Sequence, residues 1–183
     1  QRPKTRRAGC AWPLLLQAEF CYEFYSYQSN TNAGYRHFLI NKSGNTMQSL
    51  FHLAFHVRDL DAARQFYGSV LGCREGRSTD TWVDFDFFGH QISLHLGEPF
   101  ATTNTGHVAE HLVPMPHLGA ILQMDDWQAL ADQLTAKGVA FVLAPHIRFA
   151  GEPGEQATMF FRDPSGNPIE IKGFRSLKGV FET

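Results

Sequence analysis

From Phe51 onward, large apolar residues fall at every second position. Phe51, Leu53, Phe55 and Val57 alternate with His52, Ala54 and His56. That period makes a strand with one greasy face and one polar face. Asp59 or Asp61 then caps a helix through Leu71, with Leu60, Ala63, Tyr67, Val70 and Leu71 on one side and Gly72 closing it. Strands follow around 81–87 and 91–96, turning near Gly89. The order then recurs. Residues 117–122 read as a strand, and Asp125 or Asp126 caps a helix carrying Trp127, Leu130, Ala131 and Leu134, closed by Gly138. Strands follow near 140–143 and 157–162, then the turn Asp163-Pro164-Ser165-Gly166, then a last strand over 168–172.

Spacing supports one unit used twice. Asp59 to Gly72 and Asp125 to Gly138 both span 13 residues, while His52 to Asp59 is 7 and His117 to Asp125 is 8. The second copy carries a longer loop, roughly 144–155. Each copy alone is too small to bury both faces of its sheet. Two packed copies give a shared concave surface with helices on the outer faces, an α+β arrangement.

Alternation also sorts the side chains. His52, Ala54 and His56 turn to the concave side, as do Gln91, Ser93 and His95, because Ile92, Leu94 and Leu96 form the greasy face of their strand. In the second copy His117, Gly119 and Ile121 turn inward. Ile169 and Ile171 turn Glu170 and Lys172 inward, with Thr158 and Phe160 on the strand before. His52 and His117 stand at equivalent points. Glu170 lies four after Gly166, and its counterpart, four after Gly89, is Ser93. A lone histidine or inward glutamate more often has a structural role. Two imidazoles and a carboxylate at matching points of a repeat point instead to a divalent metal with open positions for substrate.

Composition bounds the rest. A net charge of −2 excludes a strongly basic nucleic-acid surface, and no apolar run is long enough to span a membrane. Cys10, Cys21 and Cys73 form no CxxC pair and are odd in number, which fits a reducing, cytoplasmic compartment. Residues 1–46 lack any sustained period and read as a poorly ordered extension, with Met47 a candidate natural start. Asn41-Lys42-Ser43 matches a glycosylation sequon, but nothing else in the chain reads as secreted. The domain is expected over 47–175, with modules at 51–97 and 116–173 and a tail at 176–183.

Two stretches carry a family resemblance: His52-Leu53-Ala54-Phe55-His56-Val57-Arg58-Asp59-Leu60 with Phe66-Tyr67 and Leu71-Gly72, and Phe160-Phe161-Arg162-Asp163-Pro164-Ser165-Gly166-Asn167-Pro168-Ile169-Glu170. Residues 51–175 resemble the vicinal oxygen chelate superfamily, which includes glyoxalase I, fosfomycin-resistance transferases, methylmalonyl-CoA epimerase, bleomycin-resistance proteins and extradiol dioxygenases. The resemblance implies paired βαβββ modules forming a curved open-barrel sheet, and a metal held by His52, His117 and Glu170. Residues 84–91 and 154–161 further resemble a group of short proteins described as extradiol-type dioxygenases or glyoxalase-like proteins. Glyoxalase I usually has four protein ligands, and Ser93 leaves this chain one short.

Such a site chelates two neighbouring substrate oxygens and acts as a Lewis acid. Iron(II) is the favoured metal, since three protein ligands leave room for substrate and dioxygen; manganese, nickel or zinc would suit isomerisation or addition. The expected reaction is dioxygenase-type, with a glyoxalase-like lyase or isomerase, or a metal-free drug- or metabolite-binding protein, as alternatives. His95 is the candidate acid/base residue. His56, Ser93, Arg148, Thr158 and Phe160 are candidate pocket residues. His107 and His111, in the linker between modules, read as surface histidines. The expected partners are a small-molecule substrate and a second copy of the chain in a homodimer.

Overall fold

Two βαβββ modules follow one another along the chain. A computed structural model describes residues 49–181 apart from Ala109 and Pro153. The expectations for the extension, its sequon, Cys10 and Cys21 lie outside those residues. In the first module β1 (His52–Val57) leads to α1 (Leu60–Ala63), then β2 (Arg74–Ser78), β3 (Trp82–Phe87) and β4 (His90–Leu96), in sheet order β1-β4-β3-β2. The second module repeats the plan. Here β7 (Leu118–Gln123) leads to α2 (Met124–Ala136), β8 (Phe141–Arg148), β9 (Gln156–Arg162) and β10 (Pro168–Phe174), in order β7-β10-β9-β8. Neither sheet closes on itself. Between the modules, β5 (Thr103–Val108) and β6 (His111–Met115) form a separate hairpin.

Asp59 caps α1 as its sequence position suggests, its Oδ1 accepting from the amides of Asp61 at 2.8 Å and Ala62 at 3.0 Å. The helix then departs from α geometry. Arg64–Val70 is π-helical, with Leu71 N donating to Phe66 O at 2.9 Å. Phe66 and Tyr67 are both buried there, although Phe66 lay off the face expected from an α-helical period. Gly72, at φ 78°, ends the segment.

The cap expected at Asp125 or Asp126 is not used. Strand β7 runs straight into α2 with Gln123 as N-cap and no side-chain cap bond. Both aspartates fall inside the first turn, where their charge favours the helix dipole. Strand β2 went unseen in the sequence because Arg-Glu-Gly-Arg-Ser is exposed throughout and has no apolar alternation. The loop expected at 144–155 is shorter than its sequence suggests, since β8 continues to Arg148.

The modules meet through their helix-side faces. Phe66 packs on Phe161, with ring centroids 6.2 Å apart, inside one apolar core fed by both sheets. Gln133 Nε2 of α2 donates to Val70 O at 2.7 Å. The turn after β9 adds polar joints. Tyr67 Oη donates to Asp163 Oδ2 at 3.1 Å, Arg58 NH1 to Ser165 O at 2.6 Å, and Asn167 Nδ2 to His56 O at 3.0 Å. Asp163 itself is stapled by the amides of Ser165 and Asn167. The Asp-Pro-Ser-Gly-Asn stretch is therefore more than a turn: it anchors one module on the other.

Candidate metal centre

Parallel pairing of the first and last strands of each module sets the site. In the second module Gly119 lies opposite Glu170, and His117 precedes Gly119 by two residues. In the first, Ala54 lies opposite Ser93, and His52 precedes Ala54 by two. The strand registers thus reproduce the equivalence read from spacing. Gly119 meets a steric demand of its own, because a Cβ at that position would run into the Glu170 carbonyl.

His117 Nε2 stands 3.1 Å from Glu170 Oε2. The other ring nitrogen, Nδ1, is 2.9 Å from the Pro114 carbonyl and donates to it. That bond fixes the tautomer of a neutral ring and leaves the Nε2 lone pair facing the carboxylate. Two lone pairs aimed at one another need a cation between them, a proton or a metal. Thr158 Oγ1 donates to Glu170 Oε1 at 2.8 Å, and Lys172 Nζ lies 4.0 Å from the same oxygen. Glu170 is only 8% exposed. Burial works against its charge, but the bonds from His117 and Thr158 and the charge of Lys172 hold its pKa below the usual carboxylate range. The His117 pKa moves up, because the bond to Glu170 outweighs partial burial and the Pro114 carbonyl adds to it. Phe160, fully buried, meets the His117 ring edge-on at 5.1 Å and walls the pair from below.

His52 stands apart from this pair. It lies on the polar face of β1, directly across from Gln91, and lines a pocket of about 440 Å³ with Phe51, Arg77, Asp84 and Gln91, all of the first module. Among the described residues no three His, Cys, Asp or Glu side chains gather as a metal shell. The modules join through an apolar core fed by both sheets, while His52, on the polar face of β1, is exposed. One chain supplies a histidine–carboxylate pair that could fill two metal positions, and a third candidate ligand, His52, that does not cluster with it.

The remaining candidates are dispersed. Thr158 and Phe160 belong to the His117–Glu170 pair. Ser93 is buried on the first module's concave side and donates to Asp84 Oδ1. His95 lies across from His56 and stacks on Trp82, with ring centroids 6.3 Å apart. His56 is exposed. Arg148 closes β8, its guanidinium 5.1 Å above the ring of Phe149. His107 and His111 are exposed on the hairpin, yet the hairpin does reach the second module: Val113 packs with Leu143 and Phe160. Cys73 is a buried free thiol whose pKa burial pushes up to about 12, the inert packed residue its sequence position suggests.

Sequence reasoning missed Asp84. It sits on β3 directly opposite Ser93 and is 5% exposed. Its Oδ2 accepts from Gln91 Nε2 at 2.9 Å and Arg77 NH2 at 3.3 Å. Burial opposes its charge, but these donors and Ser93 keep its pKa below the ordinary range. Aspartate between Val83 and Phe85 in a strand was the available signal, since an inward acid there needs partners.

Comparison with known proteins places the chain in context. The family model described as Glyoxalase/Bleomycin resistance protein/Dioxygenase superfamily matches residues 49–171. A glyoxalase/bleomycin resistance protein/dioxygenase from Alicyclobacillus acidocaldarius is 30% identical, with 73% of this chain and 96% of that one covered and a TM-score of 0.58. The fosfomycin resistance protein FosX from Mesorhizobium loti is 18% identical over 73% of this chain and 97% of its own, with a TM-score of 0.51. FosX from Listeria monocytogenes matches at 18% identity, 73% and 98% coverage and a TM-score of 0.51. At such identity the two FosX structures speak for the fold alone.

Proposed function

The chain belongs to the glyoxalase/bleomycin resistance protein/dioxygenase superfamily, and from that premise we propose that it is a divalent-metal enzyme acting on a small substrate with vicinal oxygens, dioxygenase-type with iron(II). The observation that carries this reading is the 3.1 Å approach of His117 Nε2 to Glu170 Oε2, with the far side of each group committed to another partner. A bound divalent ion would supply Lewis acidity to two neighbouring substrate oxygens.

His52 completes the shell from a second copy of the chain. Strands β1 and β7 each stand at the end of their sheet's strand order, and the two half-faces are unlike, one bearing His52 and the other His117 with Glu170. A twofold dimer would bring each half-face against its complement and build two identical sites. Glu170 and Thr158 then hold the ligand set, Phe160 excludes water from beneath it, and His95 is the acid/base candidate nearest Trp82.

Metal content of protein purified without added metal tests the reading. About one ion per chain is expected, lost in His117→Ala and in Glu170→Ala. Mixing His52→Ala with Glu170→Ala chains should restore up to half the sites in heterodimers if His52 acts in trans. Anaerobic iron(II) loading followed by oxygen uptake with catechols, beside a methylglyoxal–thiol assay, ranks dioxygenase against lyase or isomerase chemistry. His95→Ala should keep the metal and lose turnover. A protein that binds no divalent ion, with His117 and Glu170 sharing only a proton, would instead be a metal-free binding protein.

A further inference from the structure

Resting on the metal site proposed above, we infer that the first module's half of the pocket recognises a ligand hydroxyl, and that Gln91, held in one orientation by Asp84, is the residue that reads it. An ionised carboxylate only accepts hydrogen bonds. Asp84 Oδ2 lies 2.9 Å from the Gln91 side chain, so the amide nitrogen has to be the atom facing it. The Gln91 carbonyl oxygen is left over. No hydrogen bond among the described residues engages it, and Gln91 lines the same pocket of about 440 Å³ as His52. Gln91 is also the residue directly across from His52 in the β1–β4 register. Ser93, whose hydroxyl proton is committed to Asp84 Oδ1, likewise keeps only lone pairs.

Asp84 therefore sets the polarity of this surface. Free glutamine can turn either end of its amide outward; here the NH2 end is held inward by one N–H bond to Asp84, and the carbonyl oxygen is the end turned away from it, beside the proposed metal ligand. The Arg77 guanidinium also lines the pocket, but its side chain is 80% exposed, so its remaining donors are shared with solvent at the rim. A substrate oxygen next to His52 that carries a proton, as in an α-hydroxy acid, a hydroxyketone or a catechol, finds a partner in Gln91. A keto oxygen in that place meets the carbonyl oxygen lone pairs and is disfavoured. Gln91 is thus a specificity residue and Asp84 a positioning residue.

Lactate and pyruvate make matched probes, since both are monoanions with vicinal oxygens and they differ in hydroxyl against keto. Their dissociation constants are measured on the full chain loaded with manganese(II), by water-proton relaxation, in wild type, Gln91→Met and Asp84→Asn. Comparing each variant with wild type cancels the metal's own preference. Gln91→Met should shift the lactate-to-pyruvate affinity ratio by about fivefold to tenfold toward pyruvate, the usual worth of one such hydrogen bond. Asp84→Asn, which lets the amide turn over, should shift it the same way. An unchanged ratio in both variants overturns the inference. If wild type binds no manganese, the metal reading fails separately. The same probes are then titrated onto the metal-free chain, with the Gln91 side-chain amide NMR signals as readout. Those signals should sit away from free-glutamine values in wild type and move toward them in Asp84→Asn. Identical signals in the two proteins sink the proposal whatever the metal result.

Discussion

The two modules hold the same three facing strand positions and fill them in opposite ways. In the second, Glu170 on β10 faces Gly119 on one side and Phe160 on the other. In the first, Ser93 on β4 faces Ala54 and Asp84. Among the described residues the strands of each sheet carry one buried carboxylate, but the first sheet carries it a strand further from the histidine-bearing edge. Adjacent strands lie about 4.8 Å apart, enough to change what the acid can do. Glu170 confronts His117 directly, its Oε2 3.1 Å from the ring Nε2. Asp84 is surrounded by donors, both its oxygens engaged by Ser93, Gln91 and Arg77. The two sheets share one plan; with the carboxylate one strand nearer the edge, one holds a histidine–carboxylate pair, and the other holds a carboxylate saturated by hydrogen-bond donors.

Removing the Glu170 carboxylate should break this contrast most sharply. Glu170→Ala is expected to weaken divalent-metal binding by at least the ~100-fold seen when supporting shells are lost, while Ser93→Ala leaves it within a few-fold; competition with a chelating dye reads both. Backbone spacing comes next. Gly119→Ala forces a Cβ toward the Glu170 carbonyl and should cost about 1–3 kcal/mol, whereas Ala54→Gly at the matching point should cost about 0.5–1 kcal/mol. Equal urea midpoints for the two variants would show that the strands are not differently spaced.

Asp84→Ala leaves the buried Ser93 hydroxyl without its acceptor and should destabilise by about 1–3 kcal/mol with no loss of metal. Thr158→Val deletes one donor to Glu170 and should cost about 1 kcal/mol, with a rise in the Glu170 pKa visible in carboxyl NMR titration. The smallest effect is on pH dependence. His117 has a raised folded pKa, so its contribution is full below its unfolded value and fades as pH climbs through the folded one. Glu170 has a lowered folded pKa, so its contribution is full above its unfolded value and fades as pH drops through the folded one. The metal-free chain should therefore gain most from the pair between about pH 4.3 and 6.5, and Glu170→Gln should flatten both limbs of its stability curve.

Much of this was visible in the residues themselves. Alternation along 51–57 and 91–96 gave the strands and their inward sides, and Trp127, Leu130, Ala131 and Leu134 marked the buried side of α2. The recurrence of His52 and His117 a few residues before each module's helix marked equivalent points, and the registers agree. Strand β2 was invisible because an exposed strand has no apolar period. The π-helical turn was invisible because it differs from an α-helix only in which carbonyl each amide reaches.

Local pattern sufficed for elements and faces, since side-chain direction follows from backbone period within a few residues. It could not say that Asp84 would lie against Ser93, a match made by hairpin register across the Phe88–Gly89 turn. Nor could it say that His52 would stand apart from the His117–Glu170 pair, which the β7–β10 register brings together. That outcome belongs to the packing of Phe66 on Phe161 and the docking of Tyr67 on Asp163. Contacts between residues about a hundred positions apart arise from how whole surfaces fit, and no short stretch of chain encodes them alone.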